Sequence, residues 1–115
     1  MAETASCLFC QIVAGEIPAD LVRATDDTVA FRDIAPEAPT HVLVVPRVHH
    51  VDIAQLAASD SDLAGRLVAD AAAVAAELGL DDFRMVLNTG ASAGQSVFHV
   101  HAHVMAGRPF TWPPG

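Results

Sequence analysis

Apolar positions along the chain fall into distinct rhythms. Leu63, Leu67, Val68, Ala71, Val74, Ala75 and Leu78 recur at steps of three and four, which predicts a long α-helix with one apolar face. Ser59 or Ser61 stands where an N-cap belongs, acidic residues follow where the helix dipole favours them, and Gly79 is placed to end the helix. Elsewhere the pattern is short and β-branched. Leu21 to Ala24 and Thr28 to Arg32 predict two strands around the turn Thr25-Asp26-Asp27, and His41 to Pro46 a third that stops at its proline. Phe83 to Asn88 reads as a fourth strand and Val97 to Met105 as a fifth. Phe9 to Ala14 is a short element ending at Gly15, and Val51 to Ala58 predicts one or two helical turns. Residues 35–39 form a stiff proline-bracketed loop, residues 89–96 a polar glycine-containing loop, and residues 108–115 an irregular tail. Five short strands, one long and one short helix and hairpin-length links predict an α+β fold with an antiparallel sheet, residues 1–115 forming one domain.

Composition narrows the class. Of 115 residues, 52% are hydrophobic, with no tyrosine and one tryptophan, so the core must be largely aliphatic. The net charge of −8, from 14 acidic and 6 basic residues, argues against a polynucleotide partner, which needs a run of phosphate-neutralising Lys and Arg. A small nucleotide, held by a few local donors, is compatible with that charge. The start, Met1-Ala2-Glu3-Thr4, lacks the basic and apolar regions of a signal peptide, and no stretch approaches the ~20 apolar residues of a membrane span. The only cysteines, Cys7 and Cys10, are too close together to staple a fold. A cytoplasmic chain with reduced thiols or a bound metal is expected.

The chemistry concentrates in the last strand. His99, His101 and His103 alternate with Phe98, Val100, Ala102 and Val104. In a strand such positions share a face, with steps of roughly 6.6 Å, so the imidazoles should line one side and the apolar residues should pack on the long helix. Gly94-Gln95-Ser96 leads into the run. Glycine there allows backbone N–H groups to approach an anion, and a serine hydroxyl can donate to a phosphate or a leaving group. Neutral imidazole is a good nucleophile toward phosphorus near pH 7. Such a histidine needs an acceptor on its other nitrogen, expected to be a backbone carbonyl, and the step needs no metal.

The run from Gly94 to Val104 closely resembles the signature of the histidine triad (HIT) family, in particular its nucleotide-binding, nucleoside phosphoramidase branch. The similarity continues through Phe9, Glu16-Ile17-Pro18, Ala30 to Ile34, Pro39-Thr40-His41, Pro46 and the terminal Trp112-Pro113-Pro114-Gly115. The resemblance implies a five-stranded sheet joined to a second copy's sheet in a homodimer. It implies that His101 is the nucleophile forming a nucleotidyl-imidazole, that His103 and Asn88 contact the phosphate, that Ser96 donates on the leaving-group side and that His41 supports the site. Asp33 would hold the ribose hydroxyls. Phe9, Phe31, Ile34 and Leu43, with Ile12 and Ile17, would pack the purine, while Gly94, Gln95 and Val97 would cradle the phosphate. Trp112 and its tail would approach the partner subunit's nucleotide site.

Cys7-x-x-Cys10 has the spacing of half a zinc site, for which His49, His50 and His99 are candidate completions. Several bacterial members of the family carry such a pair, and that resemblance implies a structural Zn²⁺ on Cys7, Cys10, His49 and His99, with His50 as an adjacent substitute for His49. The implied reaction is hydrolysis of purine nucleoside 5′-phosphoramidates or related conjugates of AMP or GMP. Dinucleoside polyphosphate hydrolysis, or a nucleotide-sensing module with incidental turnover, are the alternatives.

Overall fold

The computed structural model describes residues 6–115; Met1 to Thr4, read above as lacking a leader, lie outside the described residues. The elements run α1 (Leu8–Val13), β1 (Leu21–Ala24), β2 (Thr28–Arg32), β3 (Thr40–Pro46), α2 (Ile53–Ser59), α3 (Ser61–Glu77), β4 (Arg84–Val86), a short 3₁₀ turn (Ala91–Ala93) and β5 (Ala102–Ala106). The strands form one sheet in the order β1-β2-β3-β5-β4, antiparallel throughout. The architecture is the expected α+β one. No helix among the described residues is long and apolar enough to cross a membrane.

Both faces of the sheet are covered, which explains why β3 is a continuous apolar run rather than an alternating one. Val42 and Val44 face α3 and pack with its Leu67, Ala71 and Val74. Leu43 and Val45 face the other way, onto Phe9 of α1, Val29 and Phe31. The α3 stripe is the predicted one except at Val68, which is 45% exposed. Its cap is Asp60 rather than Ser59 or Ser61: the Asp60 carboxylate accepts from Leu63 N–H at 3.0 Å. The same residue also closes α2, so the two helices meet at one aspartate.

Two strands are shorter than the pattern suggests. Phe83, Leu87 and Asn88 fall outside β4. The fifth strand begins at Ala102 instead of Val97, so His99 and His101 precede the ladder. The reason lies in β3. Val44 pairs with Ala102, and two residues later Pro46 has no N–H to extend the ladder. The Pro46 carbonyl accepts from the His99 ring at 2.8 Å, and Val100 N–H turns to the His50 carbonyl at 2.8 Å. Val100, Ala102 and Val104 still reach the core, but Phe98 does not pack on the long helix and is 48% exposed.

After β5, Gly107 takes φ +100°, and a Cβ there would meet Pro39 at 2.8 Å. This close approach launches the tail. Arg108 donates to the Glu37 carbonyl at 2.9 Å and stacks on Phe110 at 4.3 Å, while Arg84 donates to the Thr111 carbonyl.

Candidate active site

Register brings the histidines to one place. Leu43 pairs with His103 and His41 with Met105, so His41 and His103 project from neighbouring strands onto the α1 side of the sheet. There a cleft of about 550 Å³ is lined by His101, His103, Asp33, Ser96 and Val97 on its polar side, and by Phe9, Phe31, Leu43, Ile12 and Ile17 on its apolar side. Ile34 contributes only to the rim; its side chain is wholly exposed, so it does not form the packed wall expected of it. Leu8 and Arg32 also line the cleft, and neither carries a sequence signal for it.

The tautomer of each ring follows from what its partners can accept or donate. His101 Nδ1 lies 2.8 Å from the His99 carbonyl. A carbonyl only accepts, so Nδ1 carries the proton and Nε2 keeps its lone pair. The expected backbone acceptor is therefore present. His41 Nδ1 accepts from Glu37 N–H at 3.0 Å, which places the His41 proton on Nε2. That Nε2 lies 2.9 Å from His103 Nδ1 and 3.5 Å from the Asp33 carboxylate. Donation to His103 leaves His103 with its own proton on Nε2. One ring presents a lone pair and the next a donor, as nucleophilic attack on a phosphorus with stabilised oxygens requires.

Electrostatics favour neutral rings. Burial lowers the pKa of His101, opposed by its bond to the His99 carbonyl and by Asp33. Burial pushes His103 down to about 4, with the adjacent His101 and His41 adding to the effect. An imidazole lowered in this way stays neutral, with a lone pair to offer, below the usual imidazole range. Asp33, His41 and His103 sit close enough together to suggest a cation site. The donor set opposes it: His41 Nε2 carries hydrogen, and His103 Nδ1 already accepts that hydrogen.

Of the nucleotide contacts predicted within the chain, Asn88, Gly94 and Gln95 do not line the cleft. His41, expected to support the site, stands behind His103, 5% exposed and hydrogen-bonded to it. Asn88 stands behind Gly94, its amide nitrogen 3.6 Å from where a Gly94 Cβ would lie. Gln95 is no cradle. It is 3% exposed, its Oε1 accepts from Gly90 N–H, and its Nε2 donates to the Val51 and Val97 carbonyls. Even its backbone N–H, like that of Gly94, is spent inside the loop, leaving Ser96 and Val97 as the loop's donors to a ligand. Trp112 is 83% exposed and does not line this cleft within its own chain.

A second cluster abuts the first. Cys7, Cys10, His49 and His99 place one ligand atom each within 4.8 Å of all the others. Both thiols lie 3.5 Å from His99 Nδ1, and Cys10 Sγ lies 3.3 Å from His49 Nδ1. Zn–S bonds of about 2.3 Å and Zn–N bonds of about 2.0–2.1 Å give a tetrahedron with S···N edges of about 3.5 Å, so the four groups fit a zinc ion. His99 donates from Nε2 to the Pro46 carbonyl, which frees Nδ1 as the ligand atom. His50 is tied instead to Gln55 at 3.0 Å, which decides between the two neighbours in favour of His49. His99 thus serves both clusters: its ring faces the thiols and its carbonyl orients His101. Phe9 packs edge-on against both rings, at 6.0 Å and 5.1 Å between centroids.

Comparison with known proteins agrees with this geometry. The chain is 38% identical over 104 residues to a purine nucleoside phosphoramidase of Escherichia coli, covering 89% of this chain and 87% of that one. It is 41% identical over 111 residues to a 14 kDa zinc-binding protein of Brassica juncea, covering 94% and 98%. A crystal structure of a HIT family hydrolase from Legionella pneumophila superposes with a TM-score of 0.90 at 43% identity, covering 96% of this chain and all of that one. The HIT domain model matches residues 14–110, and with that span, this fold and these paired histidines the chain belongs to the HIT domain family.

Proposed function

We propose that this chain is a nucleotide hydrolase that cleaves purine nucleoside 5′-phosphoramidates through a nucleotidyl group carried on His101. The observation that carries the reading is the bond from His101 Nδ1–H to the His99 carbonyl, which aims an unprotonated Nε2 at the cleft. Attack by Nε2 on the α-phosphorus forms a P–N bond to imidazole and breaks the bond to the amine, which leaves with the proton of the Ser96 hydroxyl, and the water of the second step restores that proton. Ser96 and the Nε2–H of His103 supply hydrogen bonds to the phosphate and the departing group. Water then attacks the same phosphorus, His101 departs, and the nucleoside monophosphate is released. Asp33 holds the ribose hydroxyls, and Phe9, Phe31 and Leu43 pack the purine. The name of the Escherichia coli relative supports this substrate class.

In the same reading, Cys7, Cys10, His49 and His99 hold a structural Zn²⁺, which supplies a closed cross-link between α1 and the chain segments flanking the cleft. The chain works as a homodimer in the cytoplasm. Substituting His101→Gly should abolish turnover while nucleotide binding persists, and rapid quenching of the unsubstituted protein should trap a nucleotidyl group on His101. Retention of wild-type kcat by the variant would refute the assignment. A side-by-side kcat/KM comparison of a phosphoramidate with a diadenosine polyphosphate tests the substrate class, and a clear preference for the polyphosphate would overturn it.

A further inference from the structure

Ser96 is exposed, and its hydroxyl makes no hydrogen bond among the described residues. No bond of its own aims it, so its place depends on the backbone that carries it. One buried side chain clamps that backbone. Gln95 Nε2 donates to the Val97 carbonyl at 3.1 Å, which closes a ring around Ser96. Gln95 Oε1 accepts from Gly90 N–H at 2.9 Å, while Gln95 N–H donates to the Gly90 carbonyl at 3.1 Å. Gly90, at φ +91°, is thus held by both its backbone groups, and the loop is closed at residues 90 and 95. We infer that Gln95 is a positioning residue for the departure of the amine: it touches no substrate, and it fixes Ser96 relative to His101. The inference rests on the hydrolase reading above and goes beyond it.

A second set of bonds supplies the fixed reference. Gln95 Nε2 also donates to the Val51 carbonyl at 2.7 Å, 44 residues away in sequence. The preceding carbonyl, of His50, accepts from Val100 N–H at 2.8 Å. Val100 stands between His99, whose carbonyl holds the His101 ring, and His101 itself. Two adjacent carbonyls thus take one bond from the donor loop and one from the nucleophile's segment. Their own segment is anchored on α2: Val51 N–H donates to Gln55 Oε1 at 3.3 Å, and the Asp52 carboxylate accepts from Gln55 N–H at 2.8 Å. Displacement chemistry is sensitive to such placement, a shift of about 1 Å costing on the order of 100-fold in rate. The Gln95 amide spends both nitrogen hydrogens on carbonyls and its oxygen on an N–H. A carboxylate or a thioether of the same length cannot make that set of bonds.

The test measures kcat and KM separately on a purine nucleoside phosphoramidate of an alkylamine, using the full chain, Gln95→Met, Ser96→Ala and the double variant. Gln95→Glu, which keeps the acceptor for Gly90 and loses the donors, is measured beside them, and each protein is checked by a thermal melt. Either Gln95 substitution should lower kcat by about tenfold while KM and nucleoside monophosphate affinity stay within about twofold. In the Ser96→Ala background Gln95→Met should cost less than about twofold, because the group it positions is gone. Folded variants with wild-type kcat would overturn the inference. So would a loss of equal size in both backgrounds, or one carried by KM, which would mark Gln95 as general support for the fold of the site. Backbone NMR order parameters give a readout independent of turnover: those of Ser96 and Val97 should fall in Gln95→Met while those of β3 hold. If the unsubstituted protein turns over no phosphoramidate, the hydrolase reading fails; unchanged order at Ser96 and Val97 fails the Gln95 clamp alone, so the two outcomes are distinct.

Discussion

Replacing His41 by leucine tests the hydrogen-bond relay from Glu37 through His41 to His103, on which the proposed phosphate donor depends. His41 is 5% exposed and uses both ring nitrogens, accepting from Glu37 N–H at 3.0 Å and donating to His103 Nδ1 at 2.9 Å. Leucine fills the volume but supplies neither bond. Glu37 lies at an exposed loop and its N–H can turn to water. His103 is more enclosed, and its Nδ1 is left without the donor that holds its proton on Nε2. Leaving a buried polar atom unpaired costs about 1–3 kcal/mol, and if that cost falls on the transition state it corresponds to roughly a 5- to 150-fold loss of kcat/KM. The assay is kcat/KM on a purine nucleoside phosphoramidate, read beside a nitrogen-15 NMR spectrum that reports which His103 nitrogen is protonated. We expect a mixed tautomer at His103, a loss in kcat greater than any rise in KM, and a modest fall in melting temperature. A variant in which His103 remains wholly Nε2-protonated and kcat/KM stays within twofold would refute the relay.

Zinc should copurify at about one ion per chain, and Cys7→Ser with Cys10→Ser should lower the melting temperature more than it lowers turnover in the protein that stays folded; elemental analysis and a thermal melt decide this, and metal-free protein of full stability would sink it. Acid should destabilise the fold through His103, whose pKa is pushed to about 4 against an unfolded value near 6.5. The unfolded chain takes up that proton first, so the contribution is complete above pH 6.5, falls as pH drops through that window, and its loss, roughly 1–3 kcal/mol once solvent screening of a partly exposed ring is allowed for, is complete below pH 4; replacing His103 by asparagine should narrow the gap between denaturant midpoints at pH 7 and 4.5 without closing it, because burial lowers His99 and His101 as well. Deleting Trp112 to Gly115 should change the ranking of phosphoramidates with small and bulky amines more than it changes the melting temperature, and the full chain should sediment as a dimer.

Much of the fold was legible because its signals are local. The periodic stripe from Leu63 to Leu78 placed α3, and β-branched runs placed the first three strands within a residue of where they lie. The cap was misplaced by one position because Asp, Ser and Asp stand in succession at residues 60–62, and which one accepts from Leu63 N–H depends on the backbone angle at the α2–α3 junction. The fifth strand is shorter than its pattern because alternation describes side-chain direction, which His99 to His103 keep, while ladder bonds depend on a partner strand that Pro46 terminates.

Residue type and spacing alone singled out the candidate groups: alternating histidines, a serine after a glycine loop, and two cysteines three positions apart. Tertiary structure decided what each one meets. Only the β3–β5 register could seat His41 behind His103 and direct a proton through one ring to the next. Only the path of the chain past Pro46 could turn His49 toward the thiols and His50 toward Gln55. The same path lets one residue, His99, face the thiols with its ring while holding His101 with its carbonyl. Gln95, adjacent to Ser96 in sequence, became a brace because its amide ties two backbone groups of its own loop, at Gly90 and Val97, to the distant Val51 carbonyl. A residue's chemistry is carried by its own atoms, whereas its burial and several of its partners, as His103 finds in His41 and His99 in the Pro46 carbonyl, come from chain segments distant in sequence, which no local pattern records.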